Sequence, residues 1–198
     1  MISKISSRVA EILIKHSAIE NKDEELYTYG FFILLSQILY FIITIAIGIL
    51  LNIIIESIVF YIAFQFIRRY AGGYHASTET RCEILSTLSI LSCIVVIKLS
   101  KIYDFQTVLL IISAFSAVCI IIFCPLDTPE KPLSEKEVKY FRKVSWLILF
   151  VIIIAIVISF VFEFNIVIVP CCLSLILESI LLVAGKIKKV SQKNNVKT

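Results

Sequence analysis

The chain has 198 residues, of which 59% are hydrophobic and 17% are charged, and its mean hydropathy is +0.97. Soluble domains carry about 25% charged residues, and here the apolar residues stand in long blocks, so the composition excludes an ordinary soluble domain and indicates a polytopic membrane protein. The formal net charge is only +4, and the lysines flank the apolar blocks without forming a stripe interleaved with aromatic residues, so we expect no nucleic-acid partner.

The first 25 residues predict an amphipathic helix that lies in the membrane interface. Apolar residues recur at helical spacing from Ile2 to Ile19, with charged residues between them. The segment is too polar to span a membrane, and we expect its apolar stripe to face the lipid. Its mixed charges do not fit a secretory signal peptide.

Six apolar blocks follow, which we interpret as membrane-spanning helices. A charged segment precedes the fifth block, and Ser134 with Glu137 forms a capping-box pattern that predicts a helix start there. The expected fold is all-α, with a single membrane domain over residues 1–198, a six-span bundle over 29–184 and a basic tail over 185–198. The predicted spans are residues 29–51, 53–67, 82–99, 105–123, 144–162 and 166–184.

Basic residues lie almost entirely on one side of this arrangement. With six spans, all but two of the 19 lysines and arginines fall on the side that holds both termini, and the two exceptions are Lys98 and Lys101. By the positive-inside rule, that side is cytoplasmic. We therefore expect a multi-pass protein of the cell membrane, with both termini and the loop between the second and third spans in the cytoplasm.

Glu178 is an acidic residue inside the sixth predicted span. Acids within the membrane are costly and often functional. We expect this one to pair with a lysine or arginine near the inner interface, as a structural contact.

The loop between the second and third spans carries the densest chemistry of the chain. Residues 68–82 combine a histidine, a cysteine, a glycine pair and three arginines. His75 and Cys82 are seven residues apart, which is about two helical turns, so a helix would place them on one face. A bent loop would bring them together through Gly72 and Gly73. A Cys–His pair is the minimal set for a thiol nucleophile, although a lone pair can also be an accident of sequence.

Two residues compete for the N-cap of the third span. Thr80 and Glu83 fit a capping box, which predicts Thr80 as the N-cap and places Cys82 in the first turn of the helix. The helix dipole favours a thiolate there. Ser77 is the competing N-cap, and it would place Cys82 in the second turn. No pair among the six cysteines has C-x-x-C spacing, so we predict no metal site and no cofactor.

The pattern Arg69-x-x-Gly72-Gly73-x-His75, followed by Cys82, resembles the signature of the accessory gene regulator B family. These are bacterial membrane endopeptidases that process quorum-sensing propeptides. Length, span number and the amphipathic N-terminus agree with the family, so the resemblance covers nearly the whole chain.

A second segment, residues 125–132, is similar to that family's loop after the fourth span. It departs from the pattern of relatives that carry consecutive lysines there, because Lys131 is followed by Pro132. Lys131 is a candidate substrate-binding residue, and the inner lysines as a group would attract an acidic substrate tail. The alternative is that these lysines set topology alone.

The resemblance implies a mechanism. Cys82 attacks a backbone carbonyl near the C-terminus of a short propeptide and forms a thioester, while His75 acts as base and then as acid toward the leaving amine. A cysteine inside the propeptide then displaces Cys82 and closes a thiolactone ring (a serine would give a lactone). The implied partners are membrane lipid, a second copy in a homodimer, and a propeptide with an amphipathic leader, an internal Cys or Ser and an acidic C-terminal tail.

Other loop residues have two interpretations each. Gly72 and Gly73 form either an oxyanion hole or simply a tight turn. Arg69 binds substrate carboxylates or anchors the span in anionic headgroups. The residue that orients His75 is open, and the candidates, which the sequence does not rank, are Gln65, Glu79 and Glu83.

Two other functions stay open from the residues alone. A small transporter or peptide exporter would place polar residues opposite one another at mid-membrane in broken helices, and the spans contain few such residues. A non-enzymatic scaffold or sensor subunit would tolerate the loss of Cys82. Substitution of Cys82 therefore separates the enzyme from both alternatives.

Overall fold

The computed structural model describes residues 2–15, 23–74, 76, 78–127 and 133–195, and every regular element in these ranges is an α-helix. The all-α expectation is therefore confirmed. The helices are α1 (Ile2–Lys15), α2 (Glu24–Leu50), α3 (Ile54–Ala71), α4 (Glu79–Ser100), α5 (Gln106–Phe123), α6 (Glu135–Val161) and α7 (Asn165–Asn195).

Five of these helices, α2 and α4 to α7, are long and apolar enough to cross a membrane. This agrees with the prediction of a polytopic membrane protein. Helix α3 is not among the five, because its 18 residues include the charged side chains of Glu56, Arg68 and Arg69. The count of six spans therefore stays a prediction.

Helix α1 packs along α2, with Ser6 and Ala10 fully buried between them. Ile5 and Ile12 are 43% and 56% exposed on its outer side. The helix itself lies where the apolar periodicity predicts one. Its position at the membrane interface stays a prediction.

Helix α7 is the centre of the bundle. In its most apolar stretch 67% of the residues are buried inside the protein, against at most 28% in the other candidate spans. It packs against α3, α4, α5 and α6, while α3 packs against α2, α4, α6 and α7. The side chains around α3 and α7 therefore form the most enclosed part of the molecule. The basic segment predicted as a tail is helical as far as Asn195, because α7 continues beyond residue 184.

The start of α6 confirms the predicted capping box. The Ser134 hydroxyl accepts from the Glu137 backbone N–H at 3.3 Å, and the Glu137 carboxylate accepts from the Ser134 backbone N–H at 2.9 Å. The charged segment and the fifth span thus form one continuous helix.

The predicted N-cap of the third span is wrong. Helix α4 begins at Glu79, and its N-cap is Thr78, whose hydroxyl accepts from the Arg81 N–H at 3.4 Å. Thr78 has the extended backbone that an N-cap needs, whereas Thr80 lies inside the helix. The competing residue, Ser77, lies outside the described residues. The backbone N–H of Cys82 donates to the Thr78 carbonyl at 3.0 Å, so Cys82 closes the first turn.

Both ends of α3 are joined to another part of the chain by an acid–base pair. Near the start of the helix Glu56 pairs with Lys101, which follows α4. Near its end Arg68 pairs with Glu178 of α7, with 3.9 Å between Nη1 and Oε2. The expectation that Glu178 pairs with a basic residue is confirmed, and the partner is Arg68.

Candidate active site

A glycine turn ends α3 and begins the polar loop. Gly72 and Gly73 have φ values of +81° and +134°, in the region that glycine adopts far more readily than other residues. A Cβ on Gly72 would lie 2.4 Å from the Leu126 carbonyl oxygen. A Cβ on Gly73 would lie 1.7 Å from Nη1 of Arg68. The turn therefore requires both glycines, for conformation and for space.

The turn is fastened to two distant segments. The Leu126 N–H donates to the Ala71 carbonyl at 2.9 Å, and the Tyr74 N–H donates to the Leu181 carbonyl of α7 at 2.9 Å. Gly185 allows this close approach, because a Cβ there would lie 2.9 Å from the Tyr74 nitrogen. The loop thus rests on α7 and on the segment after α5.

Arg68 binds the turn from the inside. Its Nη1 donates to the Gly72 carbonyl and its Nη2 to the Tyr74 carbonyl, each at 2.7 Å. The guanidinium therefore spans the turn on the side where a Gly73 Cβ would stand. The same guanidinium forms the ion pair with Glu178. Sequence reasoning selected Arg69 and missed Arg68. Arg69 is exposed in the structure. The signal that identifies Arg68 is the buried acid in α7, which needs a cation within reach.

Cys82 lies in a pocket between α3, α4 and α7. The pocket contains about 360 Å³ of space including its open mouth. Its polar lining residues include Arg68 and two serines of α4, and several of the others are apolar. The lining residues are Phe64, Arg68, Tyr74, Ala76, Cys82, Leu85, Ser86, Ser89 and Leu181. The candidate nucleophile therefore shares one cavity with the residue that holds the turn.

Two predicted site residues lie outside the described residues. They are His75 and Lys131. The chain neighbours of His75 are informative, since Tyr74 and Ala76 both line the pocket that contains Cys82. The pairing of His75 with Cys82 stays a prediction.

The contacts of Gly72 support the tight-turn interpretation of the glycine pair. The Gly72 N–H donates to the Arg68 carbonyl at 3.2 Å, which closes the last turn of α3. A donor that is already engaged in this way is a poor candidate for binding an oxyanion. The oxyanion role of Gly73 stays a prediction.

The candidates for orienting His75 have different surroundings. The side-chain amide of Gln65 donates to the Tyr61 hydroxyl at 2.7 Å, and that hydroxyl donates to the Gln37 carbonyl of α2 at 2.6 Å. Gln65 thus takes part in a contact between α2 and α3. Glu83 is half-buried in α4, and the side chain of Glu79 lies outside the described ones.

Cys124 provides a contrast to Cys82 at the same end of the bundle. It is buried directly after α5, and this burial raises the pKa of its thiol, although nearby Arg142 acts in the opposite direction. A raised pKa keeps the thiol protonated and unreactive. Cys82 is half-buried and faces the pocket, so it is the better nucleophile of the two.

The chain matches one protein family over most of its length. Residues 6–182 match the family model described as "Accessory gene regulator B". A "Putative AgrB-like protein 2" from Clostridium perfringens is 28% identical over 172 residues, which are 83% of this chain and 80% of that protein. The "Accessory gene regulator protein B" of Staphylococcus intermedius is 31% identical over 116 residues, 58% of this chain and 60% of that protein. Among solved structures there is no match.

Proposed function

This chain belongs to the accessory gene regulator B family, which is involved in quorum sensing, and from that premise we propose that it is a membrane cysteine endopeptidase acting on a quorum-sensing propeptide. One observation carries the proposal. Cys82, in the first turn of α4, lines a pocket that is also lined by both chain neighbours of His75. Acyl transfer to sulfur requires a thiol with an imidazole close to it, and in the proposed mechanism His75 supplies that imidazole.

The proposed reaction has two transfers. The Cys82 sulfur attacks a propeptide carbonyl as His75 takes the thiol proton, and His75 then gives that proton to the departing amine of the C-terminal fragment. The product is a thioester between the remaining propeptide and Cys82. A thiol within the propeptide next attacks this thioester and gives its proton to His75. The Cys82 sulfur leaves, takes that proton from His75, and the propeptide closes into a thiolactone.

The lining of the pocket suits this chemistry. Phe64, Leu85 and Leu181 form apolar walls that limit the access of water. Exclusion of water protects a thioester against hydrolysis, so that ring closure competes successfully.

Basic residues beside the turn support the proposal of an acidic substrate tail. Arg69 is exposed beside the turn, and Lys188 of α7 lies over the Tyr74 ring at 5.4 Å. We propose that Arg69 and Lys131, with the lysines of α7, attract the acidic C-terminal part of the propeptide. The amphipathic leader of the propeptide would bind the membrane surface beside α1.

We also propose that α3 crosses the membrane as the sixth span. Its 18 residues have a length of about 27 Å at the helical rise, close to the hydrocarbon thickness of about 30 Å. Its charged residues stand at its two ends, and an ion pair at each end neutralises charge there. With six spans, we propose that both termini are cytoplasmic and that the site opens at the inner membrane surface. We also propose that the protein is a homodimer.

Purified protein in lipid, incubated with its propeptide, tests the proposed function. Mass spectrometry measures release of the C-terminal fragment by wild type, Cys82→Ala and His75→Ala, with Cys119→Ala in α5 as the matched cysteine control. We expect release by wild type and Cys119→Ala only, with an enzyme–propeptide adduct that hydroxylamine removes. Equal release by Cys82→Ala would exclude Cys82 as the nucleophile.

A further inference from the structure

Glu178 is a buried acid for which the proposed mechanism has no role. Its side chain is fully buried in α7, and neither carboxylate oxygen accepts a hydrogen bond from a described residue. Its cationic partner is Arg68 at 3.9 Å. An acid in such surroundings is costly unless a cation compensates it. Its position therefore indicates a function that involves Arg68.

Arg68 connects this acid to the polar loop. The carbonyls that it binds, those of Gly72 and Tyr74, stand on either side of Gly73, and Tyr74 immediately precedes His75. Arg68 and Tyr74 also line the pocket with Cys82. One guanidinium thus joins α7, the turn and the wall of the candidate active site.

We propose that Glu178 is a positioning residue, which holds the α3–α4 loop against the Cys82 pocket by fixing the Arg68 guanidinium; this rests on the function proposed above. The side chain of Arg68 is 18% exposed, so water is within its reach. Without a counter-charge, the guanidinium would extend toward water and release both carbonyls. The loop would then lose two of the contacts that hold Tyr74, the residue before His75, at the pocket.

Glu178→Gln tests this proposal, and Glu56→Gln is its matched control. Both variants remove a buried acid from an ion pair at one end of α3, and only Glu178 lies beside the pocket. For full-length protein in lipid, we expect Glu178→Gln to lower kcat for fragment release by about 10- to 100-fold, because small displacements of catalytic groups are that costly. KM should change by less than about threefold, and Glu56→Gln should keep the wild-type kcat. A wild-type kcat in Glu178→Gln would overturn the proposal.

A double-mutant cycle tests whether Glu178 acts through Arg68. If it does, Glu178→Gln in an Arg68→Gln background should cause no further loss of kcat. Losses that multiply would mean that Glu178 acts independently, and would overturn the proposed connection.

Arg68→Lys covers the case in which Glu178→Gln does not fold. Lysine keeps the positive charge near Glu178, but its single ammonium lacks the rigid fork that binds two carbonyls. We expect a thermal unfolding temperature close to that of the wild type, together with the same loss of kcat as Glu178→Gln. We call the Arg68 guanidinium and its two hydrogen bonds, to the Gly72 and Tyr74 carbonyls, the clamp. A wild-type kcat in Arg68→Lys would contradict a role of the clamp in catalysis.

Chymotrypsin cleavage after Tyr74 provides a readout that needs no propeptide. If the proposed function is wrong, the wild type itself will release no fragment. The rate of cleavage at Tyr74 would still show whether Glu178 holds the loop in place. We expect faster cleavage at Tyr74 in Glu178→Gln than in the wild type and Glu56→Gln. Equal cleavage rates in all three proteins would overturn the positioning role.

Discussion

The two ends of α3 carry the same kind of ion pair in different surroundings. At the first end the acid is on α3, and its partner Lys101 is 47% exposed. At the second end the base is on α3, and its partner Glu178 is fully buried. Each pair joins α3 to a later part of the chain, so both contribute to the bundle. The comparison separates what an ion pair does for the fold from what it does for the site.

The difference lies in what else the basic residue binds. Arg68 donates two hydrogen bonds to the turn and lines the Cys82 pocket, whereas Lys101 lies at the opposite end of α3, away from the pocket. The guanidinium carries several donors in a fixed geometry, so it binds two carbonyls and still faces an acid. The Lys101 ammonium, on a flexible side chain, is suited to a single ion pair between two parts of the chain. The residue types thus match the tasks at each end.

Gly73→Ala is the substitution with the largest expected effect on this comparison. The added Cβ would lie 1.7 Å from Nη1 of Arg68, so the guanidinium has to move, and the backbone at φ +134° is strained for alanine. We expect fragment release to fall by about 100-fold, because the clamp opens while the helices stay in place. Release kinetics of protein in lipid measure this loss.

Gly30→Ala is the matched control for that variant. A Cβ at Gly30, in helix α2, would have no atom of a described residue within 4 Å, apart from its chain neighbours and the backbone of its own helix. Alanine there should preserve activity and raise stability by about 0.5–1 kcal/mol, since glycine is unfavourable inside a helix. Equal activity of the Gly73→Ala and Gly30→Ala proteins would show that the clamp is dispensable.

Thiol labelling compares Cys82 with Cys124, which lie at the same end of the bundle. Burial raises the pKa of the Cys124 thiol, so at a given pH a smaller fraction of it is thiolate than for an ordinary cysteine. At pH 8 we expect iodoacetamide to modify Cys82 at least about 10-fold faster than Cys124, because the thiolate is the nucleophile. Peptide mass spectrometry reads both sites in one sample, and raising the pH should increase labelling of Cys124. Faster modification of Cys124 at pH 8 would show that its environment is not protective.

The stabilities of the two acid variants should also differ. Removing one partner of a buried ion pair leaves the other charge uncompensated, which costs up to about 3–5 kcal/mol, whereas an exposed pair contributes about 0–1 kcal/mol. We therefore expect Glu178→Gln to lower the thermal unfolding temperature more than Glu56→Gln does. The two acids are both buried, so the difference comes from the exposure of their partners. Equal shifts in unfolding temperature would remove the energetic contrast between the two ends.

The sequence predicts the helices better than it predicts the clamp. Long apolar blocks and the Ser134–Glu137 pattern are local signals, and each leads to a helix in the structure. The choice between Arg68 and Arg69 is not local. Neighbouring residues on a helix point about 100° apart, and only the position of α7 decides which of them meets Glu178.

The start of α4 was mispredicted for a related reason. Thr78 and Thr80 are both acceptable N-caps by residue type. The loop before them is fastened to α7 through Tyr74 and Leu181, and the backbone at Thr78 is extended. The choice of N-cap therefore depends on a tertiary contact that the spacing of Thr80 and Glu83 does not contain.

Gln65→Leu has the smallest expected effect and tests the boundary of the site. Gln65 was a sequence candidate for orienting His75, and it lies one helical turn before Arg69. Its amide donates to Tyr61, which in turn donates to α2, so we infer a role in helix packing. Loss of one such hydrogen bond costs about 0.5–1.5 kcal/mol of stability.

The pair of variants Gln65→Leu and Tyr61→Phe separates packing from orientation. Both remove a member of the same hydrogen-bonded chain, so both should lower the unfolding temperature slightly. Both should keep kcat within about twofold of the wild type, because this chain of hydrogen bonds leads to α2. A large loss of kcat in Gln65→Leu alone would identify Gln65 as the residue that orients His75. The functional end of α3 would then begin one turn earlier, and Arg68 would share the positioning of the histidine with Gln65.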